Sequence, residues 1–180
     1  YARPCWNTGL RIKTWSRGAE GLICLRDFEV RTQKGDLVAL ASTSWLLVSA
    51  STQKMVRIPA GMMEEYGTVD RSVFDDPLVR LRPAPEEEKT WEYTVLKRDL
   101  DINHHVNNLC YLDFALEALP SGMALEDFDE VEVMYKKAAH LGDRIACFAG
   151  RTERGATVSV KEAESGRLLT VLRLQKNGEN

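Results

Sequence analysis

The chain has 180 residues, 24 Lys and Arg against 27 Asp and Glu, a formal charge of −3, and 44% hydrophobic residues. This composition excludes a disordered or fibrous chain, and it excludes a nucleic-acid binder held by phosphate neutralisation, which needs a concentrated basic surface. One large domain or two small ones fit the length and bury roughly 70% of the unfolded surface.

Hydrophobic alternation of period two, the mark of strands, runs through most of the sequence. Leu10, Ile12 and Thr14 alternate with Arg11 and Lys13 up to Trp15, and residues 22–32 continue as a second strand. Gln33-Lys34-Gly35-Asp36 predicts a hairpin turn, because Gly35 can take the positive φ such turns require. Residues 37–48 predict a long, largely buried third strand, so 1–58 reads as an antiparallel meander without a helix.

From 59 to 89, Pro59, Gly61, Gly67, Pro77, Pro83 and Pro85 punctuate the chain and Glu86-Glu87-Glu88 closes it. This stretch predicts an interdomain crossover, with a short helix over 60–66 and a stiff, extended Pro83-Ala84-Pro85 end. Residues 90–180 form the second domain. Trp91, Tyr93 and Val95 alternate as a strand, and the densest polar cluster follows over 99–108. Leu109, Leu112, Leu116 and Leu119 then recur at helical spacing up to Pro120. Four more strands are predicted at 129–139, 143–153, 156–162 and 168–175, the last two joined at Ser165-Gly166. A single helix across an antiparallel sheet is an α+β architecture. The first half repeats the strands without a leading strand and helix, which predicts a tandem repeat whose first copy is incomplete.

The longest uncharged run, 37–53, is 17 residues with six Ser or Thr, short of the ~20 apolar residues of a membrane helix; no membrane span is expected. No signal peptide is visible. Cys5, Cys24, Cys110 and Cys147 are widely spaced with no C-x-x-C pair, which predicts a reduced, cytoplasmic protein. The chain opens on Tyr1 and not on Met, and it reads as a fragment or a processed chain.

The polar cluster carries the candidate chemistry. Asp101, Asn103 and His105 stand at i, i+2 and i+4, and an extended segment would send all three side chains to one side and His104 to the other. Asn107 or Asn108 is a good N-cap for the following helix. An acid, an amide and an imidazole would then meet beside free backbone N–H groups able to hold an oxyanion, the parts that acyl transfer needs. The same residues can equally cap the helix and build a polar turn.

Cys110, near the helix start, could be a nucleophile beside His105 or a buried thiol. His104, His105, Asp99 and Asp101 lack a third convergent metal ligand, and no P-loop, G-x-G-x-x-G or H-E-x-x-H occurs, so neither metal nor cofactor is expected. Trp15, Trp45, Cys24 and Cys147 read as sheet core. Lys136, Lys137, Arg151 and Arg154 are either solvated strand-face charges or a patch for an acidic partner.

Asp99-Leu100-Asp101-Ile102-Asn103-His104-His105-Val106-Asn107-Asn108, then Tyr111, Leu116-Glu117 and Pro120, resembles the signature of acyl-acyl-carrier-protein thioesterases, a family of two tandem hotdog domains. Ile12-Lys13-Thr14-Trp15, Arg26-Asp27-Phe28, Ala41-Ser42-Thr43-Ser44-Trp45 and Thr52 resemble strand motifs of the family's N-terminal hotdog. The resemblance implies a tandem hotdog protein with an incomplete first copy and its site in the second. It implies that Asp101, Asn103 and His105 form the catalytic set, with an oxyanion site from the N–H groups of Val106, Asn107 and Asn108. The implied reaction is hydrolysis of a fatty acyl thioester of acyl carrier protein. Hydrolysis of an acyl-CoA and a catalytically silent acyl-binding module are the alternatives, and a homodimer is open.

The chain departs from the family pattern in two places. After Tyr135, matched to a family tyrosine, Ala138 and Ala139 stand where an acid and a Cys or Ser are expected, which leaves Glu117 or His140 as substitutes. The strand and long helix that open the family's first hotdog have no counterpart, so Leu10, Ile12, Leu22 and Leu25 are expected to lie on an uncovered apolar face.

Overall fold

A computed structural model of the chain describes residues 1–52, 54–59, 61–75 and 78–176. The chain divides into two compact units, Tyr1–Val79 and a second that begins at Arg80. Among the described residues no helix is long and apolar enough to cross a membrane.

In the first unit β1 (Leu10–Glu20), β2 (Ile23–Thr32) and β3 (Leu37–Leu46) form an antiparallel sheet in that order. The β2–β3 turn is the expected one: Gly35 sits at φ 98° and its carbonyl accepts from the Arg31 guanidinium at 2.8 Å. Register places Ile12, Val30 and Ala39 in one row and Thr14, Phe28 and Ala41 in the next, so these side chains share a face. That face stays partly open, with Ile12 66% exposed and Leu10 46%. β3 is consequently not the buried strand its composition predicts; it is an edge strand, and Trp45 and Leu46 are exposed.

The opposite face carries Trp15, Asp27 and Ser42 in one row, and here the sheet is closed by residues 69–73. Val69 N–H donates to Ser16 O at 2.9 Å, Trp15 Nε1 donates to Arg71 O at 2.9 Å, and Val73 N–H donates to the Asp27 carboxylate at 2.9 Å. The Arg71 guanidinium stacks over the Trp15 ring at 4.9 Å and pairs with Glu29 at 2.7 Å. Hydrogen bonds from Arg31 and then Arg71 depress the Glu29 carboxyl to about 2, so this clasp stays charged until the pH falls toward that value. The expected short helix is α1 (Met62–Tyr66); positions 60 and 77 lie outside the described residues.

The second unit holds β4 (Glu88–Thr94), α2 (Asn108–Glu117), β5 (Glu130–Tyr135), β6 (Arg144–Thr152), β7 (Gly155–Glu162) and β8 (Leu168–Gln175). The strands form one antiparallel sheet in the order β4-β6-β7-β8-β5, and α2 lies against β7 and β8. This is the α+β arrangement of one helix on an antiparallel sheet. The buried stripe of α2 is Tyr111, Phe114, Ala115 and Ala118, spaced i, i+3, i+4, i+7. The leucine series 109/112/116/119 is a neighbouring stripe, and Leu109 is 71% exposed. The helix is apolar around much of its girth, and two rings with two small alanines fit the sheet more closely than four leucines. Ile145, Val158, Val160, Leu169, Leu172 and Leu174 complete the core.

The stretch 59–89 is shared between the units. Its second part lies along the sheet: Leu81 is buried, Glu87 accepts from Ser159 Oγ at 2.6 Å, and Ala84 and Glu86 pass so close to Gly150 that a Cβ there would meet them at 2.5 and 2.7 Å.

Candidate active site

The polar cluster is not the extended segment that alternation predicts. Asp101 N–H donates to His105 O at 2.8 Å and His104 N–H to Asp101 O at 3.1 Å, while a bridge between Leu100 and Val106 closes the base. The result is a tight loop whose fourth residue, His104, takes φ 60°, a conformation uncommon for a residue with a Cβ. The cause is Asp101. Its Oδ1 accepts from the N–H groups of Asn103 at 2.8 Å and His105 at 3.2 Å, and its Oδ2 accepts from Asn103 Nδ2 at 3.4 Å. A short acid that hydrogen-bonds the main chain just ahead of it competes with strand pairing, and here it wins.

Burial pushes the Asp101 carboxyl up, but the Asn103 and His105 N–H groups and the Asn103 amide outweigh it, and the net shift is below the ordinary carboxylate range. A depressed folded-state value means that Asp101 steadies the loop above the ordinary value and loses that hold as the pH falls below it. Amide exchange at Asn103 and His105 is therefore expected to be protected at pH 5–7 and to lose protection, relative to the sheet amides, below about pH 4. Equal protection of the loop and the sheet at low pH contradicts this role.

Asp101 and His105 both line a cavity of about 350 Å³, together with Val106, Asn108, Tyr111, Tyr135, Lys136, Lys137 and Ala138. Asn103 and His104 are exposed and do not line it. Sheet register brings the distant residues together, since Tyr135 ends β5 and the chain then passes beneath the start of α2. Tyr135 Oη donates to Asn108 O at 3.0 Å. Val106 N–H donates to Ala139 O at 2.9 Å, and Ala139 N–H donates to the buried Tyr111 hydroxyl at 2.9 Å. Desolvation raises both phenols and keeps them uncharged.

The expected oxyanion donors are partly spent. Val106 N–H is taken by Ala139, and Asn107 N–H donates to Asp99 O at 2.7 Å. Asn107 is the N-cap, its side chain accepting from Leu109 N–H at 3.0 Å. Of the three, Asn108 N–H alone has no hydrogen-bond partner among the described residues; it stands in the first turn of α2 and its residue lines the cavity.

Cys110 does not line the cavity; desolvation, then Asp99 and Asp113, push its thiol up, and its Sγ donates to Asp99 O at 3.6 Å. Cys147 is buried, its thiol pushed up to about 12 by desolvation. Glu117 is exposed at the far end of α2, nine residues or about 13 Å along the axis from Asn108, and does not reach the cavity. His140 does approach: its ring meets that of His105 edge to face at 5.1 Å. Among the described residues, no three His, Cys, Asp or Glu side chains gather in a metal-binding group.

The four basic residues do not form one patch. Tyr135, Thr170, Val160 and Cys147 lie in one row across β5, β8, β7 and β6. Lys136 and Lys137 follow that row at the cavity. Arg151 and Arg154 lie beyond it at the β6–β7 hairpin, about 13 Å and more along the strands, where they donate to Ser121 O and Lys176 O. At that end a second cavity of about 370 Å³ is lined by residues 80–85 with Thr152, Thr157, Arg173 and Gln175; its lining has no His, Cys, Asp or Glu to act as an acid or base.

Comparison with known proteins identifies the lineage. The model of the acyl-ACP thioesterase C-terminal domain matches residues 83–179, and that of the acyl-ACP thioesterase N-terminal domain matches residues 2–66. The chain belongs to the acyl-ACP thioesterase family. It is 24% identical over 210 residues to oleoyl-acyl carrier protein thioesterase 2 of Arabidopsis thaliana, covering 99% of this chain and 55% of the relative. The chain thus spans about half the length of the curated relatives it matches. The acyl-ACP thioesterase of Bacteroides thetaiotaomicron has the same fold, with a TM-score of 0.79 at 22% identity, over 92% of this chain and 68% of that one. The 12:0-ACP thioesterase of Umbellularia californica follows at 0.75 and 22% identity, over 96% and 67%. The hotdog architecture expected from the sequence is therefore the fold of this chain. Within the family fold, Ala138 lines the cavity as a methyl where an acid is expected, and Ala139 is 1% exposed, its main chain holding Val106 and Tyr111.

Proposed function

We propose that this chain hydrolyses the thioester of a fatty acyl group carried on acyl carrier protein, releasing the free fatty acid. The observation that carries this reading is the cavity shared by Asp101 and His105 at the start of α2, in a member of the acyl-ACP thioesterase family. His105 takes a proton from a water molecule as its oxygen attacks the thioester carbonyl carbon. The carbonyl oxygen becomes an oxyanion facing the Asn108 N–H. Collapse of the tetrahedral intermediate breaks the C–S bond, and the proton on His105 passes to the departing sulfur. Asp101, itself fixed by Asn103, holds His105 through the loop.

Lys136 and Lys137 at the cavity offer cations to an acidic carrier or to the phosphates of CoA. Thiol release from acyl-carrier-protein thioesters is therefore to be measured with apo carrier protein and with free CoA as competitors. Inhibition by the apo carrier at micromolar concentration, with CoA ineffective, supports the carrier as substrate; the reverse makes this an acyl-CoA thioesterase. The four cysteines are free thiols, which suits a reducing compartment such as the cytoplasm. A second reading, a silent acyl-binding module, is favoured by one observation, the methyl of Ala138 where the family pattern has an acid. Tight binding of acyl carrier protein without turnover distinguishes it.

A further inference from the structure

The loop that carries His105 is fixed through its main chain; Asp101 attracts the imidazole electrostatically, but the loop's hydrogen bonds go to main-chain groups and the Asn103 amide, not to the ring. The ring contact comes from His140, edge to face at 5.1 Å with an interplanar angle of 89°. His140 does not line the cavity, and its side chain is 59% exposed.

His140 is itself built into a rigid turn. Its N–H donates to Asp143 Oδ2 at 2.8 Å, and its Nδ1 lies 3.7 Å from the same oxygen. Asp143 N–H donates back to His140 O at 3.1 Å, and Gly142, at φ 82°, allows the tight reversal. The turn is anchored to the end of β4, because Gly142 N–H donates to Val95 O and Val95 N–H donates to Asp143 O, each at 3.0 Å. Val95 is 1% exposed. The chain from the buried core to the His105 ring is therefore Val95, the 140–143 turn, His140, His105.

We infer that His140, held by Asp143, is a positioning residue that fixes the ring of His105 toward the cavity. This inference rests on the hydrolytic reading for its consequence in rate, but not for its geometry. Its ground is packing and hydrogen bonding, with Asp101, Lys136 and Lys137 the charged groups on the cavity side.

The test exploits the fact that the chain has three histidines, so that ring-labelled protein gives three resolvable sets of signals. In the full chain, H140A is expected to move the His105 ring resonances by some tenths of a ppm and to lower kcat about 10- to 100-fold at unchanged KM, as a misplaced group does. H140F keeps an aromatic edge against His105 and is expected to restore kcat to within a few-fold of the parent. D143N retains an acceptor for the His140 N–H and is expected to act mildly, whereas D143A is expected to resemble H140A. H104N, which suits the left-handed backbone, is expected to change neither reading. His105 resonances that do not move in H140A overturn the proposal whether or not the protein turns over a thioester. Failure of H140F to restore kcat overturns it as well, because the imidazole chemistry of His140 and not its ring packing is then needed. Because loss of the His140 ring current moves those resonances by itself, the positioning is read from the His105 χ1 couplings: a changed rotamer in H140A upholds it, even in a parent without turnover, and unchanged couplings overturn it.

Discussion

Replacing His105 by alanine is expected to lower thioester hydrolysis by about 10²–10⁴, the usual worth of a general base, with little change in Tm. His105 is the imidazole that lines the cavity with Asp101, so the reaction loses its proton acceptor. The fold keeps its support, because His105 meets the loop through its N–H and carbonyl, which alanine retains, and the ring is only half-buried. His105→Gln, which can hydrogen-bond but cannot carry the proton, is expected to be nearly as slow. Activity within threefold of the parent excludes His105 as the base. A loss of Tm that parallels the loss of activity makes it a structural residue instead.

The largest effect on stability is expected at Asp27, in the Arg26-Asp27-Phe28 strand motif. Asp27 is fully buried; one carboxylate oxygen accepts from Ser42 Oγ at 2.7 Å and the other from Val73 N–H at 2.9 Å, with Arg17 at 3.8 Å. Alanine leaves a hydroxyl and a main-chain N–H without partners, at about 1–3 kcal/mol each. It also releases the 69–73 strap, which carries Arg71 onto Trp15. The expected cost is about 2–5 kcal/mol, a large part of the stability of an ordinary domain. Asp27→Asn keeps one carbonyl acceptor and is expected to cost roughly half as much. Denaturant unfolding followed by circular dichroism reads both; an Asp27→Ala midpoint equal to the parent's removes Asp27 from this role.

The role of Asp27 shows what kind of information the sequence carries. Strand positions and turns were legible, because alternation of Leu10, Ile12 and Thr14 and the glycines at 35 and 166 express local geometry. The burial of β3 was not, since it depends on what covers a face. The candidate loop was legible in its residue types but not in its shape: Asp101, Asn103 and His105 alternate like a strand, and the N–H groups of Asn103 and His105 that donate to the Asp101 carboxylate fold them back. The separation of Lys136 and Lys137 from Arg151 and Arg154 needs the strand order, which places β6 and β5 apart in the sheet. Asp143 stayed hidden because its contact with His140 is made within a turn that the spacing does not distinguish from any Gly-Asp turn.

The helix stripe teaches a related point. Leucines at 109, 112, 116 and 119 have the right period, yet Tyr111, Phe114, Ala115 and Ala118 face the sheet. Period alone does not choose between adjacent apolar stripes; fit does, and the bond from Ala139 N–H to the Tyr111 hydroxyl fixes the choice.

The most direct measurement is the release of free thiol from a short panel of acyl-carrier-protein thioesters by this chain and by its Asp101→Ala variant, both checked for folding. Turnover by the parent, with a loss of at least a hundredfold in the variant, is the predicted result, because the loop that presents His105 is held by Asp101. No turnover by a folded parent, or equal turnover by both proteins, contradicts a hydrolytic site at the start of α2.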